Sequence, residues 1–400
     1  MLSFALLGGS ASAQSLVNGI WKGLTISSDG NRLAAVGDIY DNGRGMYVGS
    51  LYTSGNGAST WQYNAAFGDH NFTSLAGSSS GLTLLAATDN GLFMSMDAGG
   101  SWAATFVRAS WLAAAVSSNG GVLVASGYNY TTGYSNIWYS ANGGTSWRAT
   151  SVRYYVNSLL LSANGSIVVA LGNSQLLVST DSGATYTDTT TPAGFAVISA
   201  SGNTIAAFRY VNATATQIRV STDLGKTFGS PTVINTTYYG QFTGAAVMSA
   251  DGSRIGASTV GGTAGGTTGA GTFFVSANSG ASWAAMSLPV YYFSCIAGTA
   301  DAMTILGGGG GSMYLSRDGG TMWFSTGMVT TRSLSATPSS GISPTSSWST
   351  TATRTPAATP VHTNGASCYA DYDCASGICN QGICSPPPPS VACESEHARV

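Results

Sequence analysis

Charge is what this chain most conspicuously lacks. Only 8% of its 400 residues are Asp, Glu, Lys or Arg, and the formal net charge is −2. Proteins that bind nucleic acid collect phosphates with a concentrated positive field, so nucleic acid is not an expected partner. The scarcity of charge, together with 54 glycines, is typical of an all-β extracellular protein rather than of a charged cytosolic enzyme.

Glutamate and histidine are also scarce. The only glutamates, Glu394 and Glu396, lie near the C-terminus, and His70 is the only histidine before residue 329. Because acid-base and metal sites need several such groups, we interpret His70, next to Asp69, as a solvated loop residue. The sequence predicts neither a metal nor a cofactor.

Long hydrophobic runs are missing except at the N-terminus. The segment MLSFALLGGSASA (1–13) is a short apolar run followed by residues with small side chains. Ala11 and Ala13 are placed as in an A-x-A cleavage site. We predict a signal peptide cut before Gln14. No other stretch approaches the ~20 apolar residues of a membrane span. The expected location is extracellular or cell-wall associated, for a secreted protein without a membrane span.

One eight-residue motif organises the sequence: Ser-x-Asp/Asn-x-Gly-x-Ser/Thr-aromatic. Six clear copies start at Ser95, Ser140, Ser179, Ser221, Ser276 and Ser316, and a weaker one starts at Ser54, with Ala58 in place of the glycine. Successive copies start 39 to 55 residues apart, close to the ~40–45 residues of a four-stranded blade. Between copies, Asp-Gly or Asn-Gly pairs flanked by apolar runs predict hairpins, as at Ser27 and Ser117. We predict an all-β, seven-bladed β-propeller of four-stranded antiparallel blades over residues 14–328.

The motif has a structural explanation. Its Ser and Asp or Asn side chains can accept backbone N–H groups in a tight turn between strands 3 and 4, and its aromatic residue can pack between sheets. The acidic or amide members that we expect to be structural are Asp97, Asn142, Asp181, Asp223, Asn278 and Asp318. The chain here resembles the Asp-box (BNR-repeat) propellers, which include sialidases, sortilin-type receptors, xyloglucan hydrolases and photosystem II assembly factors. These relatives differ in activity, so the resemblance indicates fold rather than function.

A candidate binding face follows from this architecture. If strand 1 of each blade lines the central channel, two kinds of connection lie on the face opposite the motifs. They are the 2-to-3 connection, between strands 2 and 3 of a blade, and the 4-to-1 connection, from strand 4 of one blade to strand 1 of the next. We predict long loops there at 38–47, 128–138 and 209–217, and a flexible glycine-rich connector at 259–271. Tyrosines beside polar groups suit sugar rings. The predicted ligand-binding residues are Tyr40, Arg44, Tyr128, Tyr130, Tyr134, Arg153, Tyr154, Tyr210, Tyr239 and Tyr292.

Other aromatic residues recur at one offset before strand 1. Trp21, Phe72, Trp111 and Phe293 occupy matching places in their repeats. A residue that recurs at the same offset is expected to pack between blades, so we assign these four to the core.

Enzymatic alternatives are constrained by the available acids. A sialidase resembling those of this fold would need three converging arginines, with Arg44, Arg108, Arg148, Arg153 and Arg209 as candidates, and a glutamate that the propeller region does not contain. A glycoside hydrolase resembling the xyloglucanases would need two carboxylates. Five aspartates are interpreted as loop residues on the candidate face, namely Asp38, Asp41, Asp69, Asp89 and Asp188. The residues favour a non-catalytic module, with such a hydrolase as the enzymatic alternative.

The C-terminal part has another composition. Residues 329–366 are rich in Ser, Thr and Pro and predict a disordered linker. A Cys-rich module at 367–393, resembling short secreted modules, and a tail at 394–400 follow. Disulfides among Cys368, Cys374, Cys379 and Cys384 are expected, with a zinc site as the alternative. Cys295 is interpreted as a buried free thiol.

Five N-x-[ST] sequons, at Asn71, Asn129, Asn164, Asn212 and Asn235, are compatible with a secreted glycoprotein. The functional prediction is a monomeric, secreted module that binds an extracellular glycan or protein. The alternatives are a glycoside hydrolase and a scaffold resembling the photosystem II assembly factors.

Overall fold

The computed structural model describes most of the region between residues 19 and 326 and four residues of the tail. The described ranges are 19–41, 46–64, 70–105, 110–129, 134–152, 154–212, 215–235, 242–260, 263–264, 267–268, 270–326, 379–380 and 383–384. The chain divides into two units, Met1–Leu334 and Ser335–Val400.

Seven four-stranded antiparallel sheets, the blades, make up the first unit. Blade 1 contains β1 (Gly19–Ile26), β2 (Leu33–Asp41), β3 (Met46–Ser54) and β4 (Gln62–Tyr63), and blade 2 contains β5 (Phe72–Gly77), β6 (Leu84–Thr88), β7 (Leu92–Ser95) and β8 (Ala103–Ala104). Blade 3 contains β9 (Ser110–Val116), β10 (Leu123–Asn129), β11 (Tyr134–Ser140) and β12 (Arg148–Ala149), and blade 4 contains β13 (Ser158–Leu161), β14 (Val168–Gly172), β15 (Gln175–Ser179) and β16 (Thr187–Pro192).

Blades 5 to 7 complete the ring, and blade 6 carries an extra hairpin, β23–β24. Blade 5 contains β17 (Phe195–Ile198), β18 (Ile205–Asn212), β19 (Ala215–Ser221) and β20 (Thr232–Asn235). Blade 6 contains β21 (Phe242–Met248), β22 (Ile255–Thr259), β25 (Thr272–Ser276) and β26 (Ala284–Ser287), with the extra hairpin of β23 (Thr263–Ala264) and β24 (Thr267–Thr268). Blade 7 contains β27 (Cys295–Gly298), β28 (Ile305–Gly309), β29 (Ser312–Ser316) and β30 (Phe324–Ser325). The chain is thus an all-β, seven-bladed β-propeller, as the sequence predicts.

The second strand of each blade explains the core. Along β2, Leu33 and Ala35 belong to the apolar cluster shared with blade 7, whereas Ala34 and Val36 belong to the cluster shared with blade 2. Because successive side chains of a strand point to opposite faces, each blade is buried on both sides. Seven such clusters fill the seven boundaries between neighbouring blades.

The recurrent aromatic residues lie in these boundaries. Trp21, Phe72, Trp111 and Phe293 are each at most 2% exposed. The prediction that they pack between blades is confirmed. Each buries a large apolar surface, so together they contribute substantially to the stability of the ring.

Among the described strands, none is shared where the ring closes between blades 7 and 1. The first strands of these blades are adjacent, and the Ser294 hydroxyl donates to the Trp21 carbonyl at 2.8 Å. Leu306, Met313 and Leu315 of blade 7 pack with Trp21 in one cluster. In the described residues, side-chain packing, this hydrogen bond and one from the Arg317 guanidinium to the Gly57 carbonyl at 3.4 Å join the two blades.

The repeated motif forms a turn between strands 3 and 4 of every blade, which we call the Ser-x-Asp turn. In blade 2, the buried Ser95 hydroxyl accepts the Gly99 N–H at 2.8 Å and donates to Asp97 at 2.8 Å. Asp97 in turn accepts the N–H and the hydroxyl of Ser101. Gly99 has a φ of +90°, which a side chain would strain. The turn therefore satisfies its own backbone groups.

A series of hydrogen bonds joins the turns between strands 1 and 2 of successive blades, from blade 1 to blade 7. The Ser28 N–H donates to the Ser79 carbonyl at 2.8 Å, and the Ser79 N–H donates to the Ser118 carbonyl at 2.9 Å. Equivalent bonds join the following blades as far as Ala250 and Ala300, at 2.6 Å. These bonds connect successive blades at the rim of the central channel.

Three expected loops are instead extended hairpins. β2 continues to Asp41, β10 to Asn129 and β18 to Asn212. Tyr40 pairs with Tyr47 and Tyr210 with Thr216 across these ladders. The loop interpretation was wrong because aromatic and β-branched residues in these segments favour strand pairing.

The glycine-rich connector of blade 6 also contains regular structure. Thr263 pairs with Thr268, and Ala264 pairs with Thr267, in a short antiparallel ladder. The glycine-rich connector that the sequence predicts therefore contains one short element of regular structure.

In the second unit, only a short hairpin is described. β31 (Cys379–Asn380) pairs with β32 (Ile383–Cys384), with Cys379 opposite Cys384. The other two cysteines predicted to form disulfides, Cys368 and Cys374, lie outside the described residues, as does the predicted signal peptide. The described part of the chain has no helix with the length and apolarity to cross a membrane.

Candidate functional site

The two faces of the ring have different structures. On one face, each Ser-x-Asp turn packs against the 1-to-2 turn of its own or a neighbouring blade, as when the Gly57 N–H donates to the Asn31 carbonyl at 2.9 Å. The same bond joins Ala98 to Leu82 and Gly319 to Met303. The opposite face, which we call the loop face, carries the 2-to-3 and 4-to-1 connections.

A cleft of about 300 Å³ opens on the loop face where blade 7 meets blade 1. We call it the tyrosine cleft. Its described lining consists of three tyrosines, one isoleucine, one serine and a glycine floor, namely Tyr47, Tyr291, Tyr292, Ile20, Ser294 and Gly309 to Gly311. The Tyr291 and Tyr292 rings meet edge to face, with centroids 5.8 Å apart. Tyrosine rings beside the backbone polar groups of the glycine floor can stack on a flat, hydroxylated ligand.

The local sequence explains how the tyrosines are presented. Phe293 is fully buried and packs on Trp323 with ring centroids 4.8 Å apart. This anchor fixes the two preceding residues at the surface, where Tyr292 is 40% exposed. A Cβ at Gly309 would collide with the Tyr292 carbonyl oxygen. The glycine floor thus lets the tyrosine segment lie directly on the 2-to-3 turn.

A polar cluster adjoins the cleft near the start of β1. The Lys22 ammonium pairs with Asp38 at 2.7 Å and donates to the Asn71 side-chain oxygen at 2.7 Å. Asp38 is the register partner of Ile20, which lines the cleft. Because the two charges face each other, the cluster presents hydrogen-bonding groups with little net charge.

Other predicted ligand-binding residues are spread over the same face. Tyr154 of blade 4 is 41% exposed, and Tyr210 of blade 5 is 49% exposed. Tyr155, next to Tyr154, was not among the predicted residues and is 50% exposed. Tyr128 is partly buried in β10. Only the backbone is described for Tyr40 and Tyr134, and Arg44, Tyr130, Arg153 and Tyr239 lie outside the described residues. The structure therefore places Tyr292 in a cleft and leaves Tyr154, Tyr155 and Tyr210 exposed elsewhere.

The candidate catalytic aspartates are not all loop residues. Asp38 lies within β2, and Asp188 lies within the outer strand β16, where its carboxylate accepts the Thr190 N–H at 2.8 Å. Asp89 does occupy a 2-to-3 turn, and its N–H donates to the Asn71 carbonyl. Asp41 is described by backbone alone, and Asp69 lies outside the described residues. The loop interpretation was wrong for Asp38, Asp41 and Asp188, because their segments pair as strands.

Two further interpretations need correction. His70 is partly buried, and its ring lies 4.8 Å from that of Phe93, so it is not a solvated loop histidine. Arg148 begins the outer strand β12 beside Asn142, on the side of the Ser-x-Asp turns. It therefore does not contribute to the loop face. Arg108 lies outside the described residues, and Arg209 is exposed in β18.

Cys295 lies beside the ring closure and is a free thiol. The residue keeps part of its surface exposed, but its sulfur is enclosed, close to Gly308. This burial raises the pKa of the thiol to about 12. Cys295 is therefore a poor nucleophile and a structural residue. Among the described residues, no group of three His, Cys, Asp or Glu side chains could hold a metal ion.

Sequence reasoning missed several residues that build the cleft. Ile20, Tyr47 and the Gly309 to Gly311 floor were not predicted as ligand-binding, and neither was the pair of Lys22 with Asn71. One sequence signal was available, since a run of five glycines from Gly307 to Gly311 marks a place where backbone segments approach closely.

Comparisons with known proteins show the fold. No family model and no curated protein matches the sequence. A GH74 xyloglucanase from Xanthomonas campestris superposes with a TM-score of 0.56 at 13% identity, over 78% of this chain and 55% of that chain. This chain therefore spans about half the length of the xyloglucanase.

Two further solved structures match over almost their whole length. YCF48 bound to a D1 peptide gives a TM-score of 0.51 at 13% identity, over 77% of this chain and 96% of that chain. The β-propeller domain of Cps50 (Swd1) from Myceliophteria thermophila gives 0.52 at 12% identity, over 76% and 98%. The chain has the β-propeller fold. At these identities, the likeness extends to the fold and no further.

Proposed function

We propose that this protein is a secreted, non-catalytic Asp-box-type propeller that binds a neutral polysaccharide through the tyrosine cleft. The observation that carries the proposal is the set of three tyrosine rings around a glycine-floored cleft of about 300 Å³ on the loop face. Pyranose rings present C–H groups to aromatic faces and hydroxyls to polar groups. The cleft offers both kinds of contact side by side.

Charge favours a neutral ligand. The described residues that line the tyrosine cleft are all uncharged, and the adjoining Lys22 and Asp38 neutralise each other at 2.7 Å. Against these described residues, the carboxylates of an acidic glycan would gain no positive partner, and removing them from water would cost free energy. A neutral chain avoids this cost.

Binding, rather than hydrolysis, is the activity that we propose. A two-carboxylate hydrolase requires a pair of acids on either side of the bond. Asp38 is held by Lys22, and the Asp188 carboxylate, in the outer strand of blade 4, accepts hydrogen bonds from Gln175 and Thr190. The likeness to a xyloglucanase suggests xyloglucan as a first polysaccharide to test, and the YCF48 complex with a peptide makes a protein ligand the rival outcome.

Binding to a polysaccharide panel tests the proposal. Affinity electrophoresis with xyloglucan, galactomannan and polygalacturonate would compare the wild type with a Tyr291→Ala/Tyr292→Ala variant. We expect retention by a neutral polysaccharide, and a loss of roughly tenfold to a hundredfold in affinity when both rings are removed. Polygalacturonate, which is acidic, should be retained least.

A matched control variant distinguishes binding in the tyrosine cleft from non-specific binding to exposed aromatic residues. Phe324 is a 62% exposed aromatic residue in the outer strand of the same blade. Phe324→Ala should leave binding unchanged. Retention by no polysaccharide, or an equal loss in the Phe324 variant, would contradict the proposal. Release of reducing sugar that disappears in Asp38→Asn or Asp89→Asn would instead establish hydrolysis.

A further inference from the structure

The tyrosine segment of blade 7 has a structural twin in blade 4. In blade 4, Tyr154 and Tyr155 precede the fully buried Val156, just as Tyr291 and Tyr292 precede Phe293. The next residue makes the same bond in both blades: the Asn157 N–H donates to the Leu171 carbonyl at 3.0 Å, and the Ser294 N–H donates to the Gly308 carbonyl at 2.8 Å. The two segments are therefore held in the same way.

The turn beneath each segment is equivalent too. β14 and β15 pair at Gly172 and Gln175 around the two-residue turn Asn173-Ser174, and β28 and β29 pair at Gly309 and Ser312 around Gly310-Gly311. All four turn residues have positive φ. A Cβ at Gly172 would collide with the Tyr155 carbonyl oxygen, as one at Gly309 would with Tyr292. We call each arrangement a tyrosine-pair unit.

Both units are flanked by a hairpin that extends further along the loop face. Blade 1, which follows blade 7 in the ring, carries the β2–β3 hairpin with Tyr47. Blade 5, which follows blade 4, carries the β18–β19 hairpin with exposed Arg209, Tyr210 and Asn212. In the blade 7 unit, Tyr47 of this hairpin lines the same cleft as Tyr291 and Tyr292, and Tyr210 belongs to the corresponding hairpin of blade 5.

We infer that the loop face has two equivalent sugar-binding sites, one at each tyrosine-pair unit, and that a single extended polysaccharide chain occupies both. This inference rests on the proposed function and adds a second site and a class of ligand, the long chain. Blades 4 and 7 lie on nearly opposite sides of the ring, with blades 5 and 6 between them on one side. A short oligosaccharide can fill one unit only.

Linked sites make a clear energetic prediction. Once one unit holds the chain, the second binding event becomes intramolecular, and the overall affinity can exceed that of either site by about 10²–10⁴. Short ligands gain nothing from this effect, because they cannot reach the second unit. Among neutral ligands of the same sugar composition, affinity should therefore rise steeply once the chain is long enough to reach both units.

Calorimetry on the full chain tests the inference with two probes, polymeric xyloglucan and a single xyloglucan repeat oligosaccharide. The wild type should bind two oligosaccharides per chain. Tyr154→Ala/Tyr155→Ala and Tyr291→Ala/Tyr292→Ala should each bind one, with the remaining affinity unchanged, and the fourfold variant should bind none. For the polymer, either pair of substitutions should weaken binding roughly a hundredfold.

The outcomes distinguish this inference from the proposed function. One oligosaccharide per wild-type chain, lost only when Tyr291 and Tyr292 change, would overturn the second site and leave the proposed function standing. Loss confined to the Tyr154 and Tyr155 variant, or no binding by any wild-type preparation, would overturn both. If the fourfold variant does not fold, the two double variants and the Phe324→Ala control still decide between these results.

Discussion

At the scale of single residues, the Ser-x-Asp turns depend on side chains that remain exposed. Asp97 accepts hydrogen bonds from the Ser101 hydroxyl, the Ser101 N–H and the Ser95 hydroxyl. These bonds stabilise the charged form and lower its pKa from 3.8 to about 2. The pKa values of Asp29, Asp223 and Asp251 are lowered to about 2 for the same reason. Because the pKa values of these four carboxyls change on folding, the free energy of unfolding depends on pH.

Because these pKa values are lowered on folding, we expect the folded protein to lose stability in acid. A carboxyl whose pKa is lower in the folded state stabilises the protein fully above its unfolded pKa, near 3.8, and ceases to do so as the pH falls through about 2. We expect the melting temperature to stay level above about pH 4 and to fall between about pH 4 and pH 2. Thermal melts across this range would measure it.

Natural variation among the turns supplies the controls for the acid prediction. Asn142 occupies the Asp97 position in blade 3 and accepts the Ser146 N–H at 3.0 Å without a titrating group. Asp97→Asn should therefore fold and lose less stability in acid, whereas Asn142→Asp should lose more. Identical acid profiles for all three proteins would contradict the role given to these carboxylates.

At the scale of elements, the two tyrosine-pair units differ in the strain of their turns. Asn173 and Ser174 have φ values of +52° and +62°, a region that Gly310 and Gly311 occupy in blade 7 at no steric cost. Asparagine tolerates this region better than serine does. The turn of blade 4 therefore stores strain mainly at Ser174, an exposed residue that is not in an apolar cluster.

Relieving this strain should stabilise the protein. Ser174→Gly is expected to raise the free energy of unfolding by about 0.5–1 kcal/mol, since the gain from a strain-free φ exceeds the added freedom of glycine in the unfolded chain. Asn173→Gly should gain less. Chemical denaturation would measure both variants, and a loss of stability in Ser174→Gly would show that its side chain makes a required contact.

At the scale of the whole molecule, stability comes from seven similar boundaries between blades. Trp21 fills the boundary between blades 7 and 1, and Trp111 fills the boundary between blades 2 and 3. Because none of the described strands is shared across the closure, the boundary that joins the two ends of the propeller depends on packing just as the others do. Weakening it should cost as much as weakening any internal boundary.

Substituting the two tryptophans tests this view of the ring. Trp21→Ala and Trp111→Ala should each lower the free energy of unfolding by about 3–5 kcal/mol, because each leaves a large cavity in a packed boundary. Both variants should unfold in one transition. A much smaller loss in Trp21→Ala, or a separate early transition, would show that the closure is looser than the internal boundaries.

The sequence alone determined the number of blades, the order of strands and the residues between blades. These features repeat along the chain, and a repeat that cannot bury its apolar faces alone has to stack on its neighbours. Trp21, Phe72, Trp111 and Phe293 could be assigned to the core because they recur at one offset.

Only the tertiary structure decided where the candidate site lies. The tyrosine cleft joins Ile20 and Tyr47 to Tyr291 and Tyr292, residues at opposite ends of the propeller sequence that meet when the ring closes. The bond from Lys22 to Asn71 likewise joins two different blades and requires them to pack side by side. Local patterns specify each blade, whereas contacts between distant segments follow from closure of the ring.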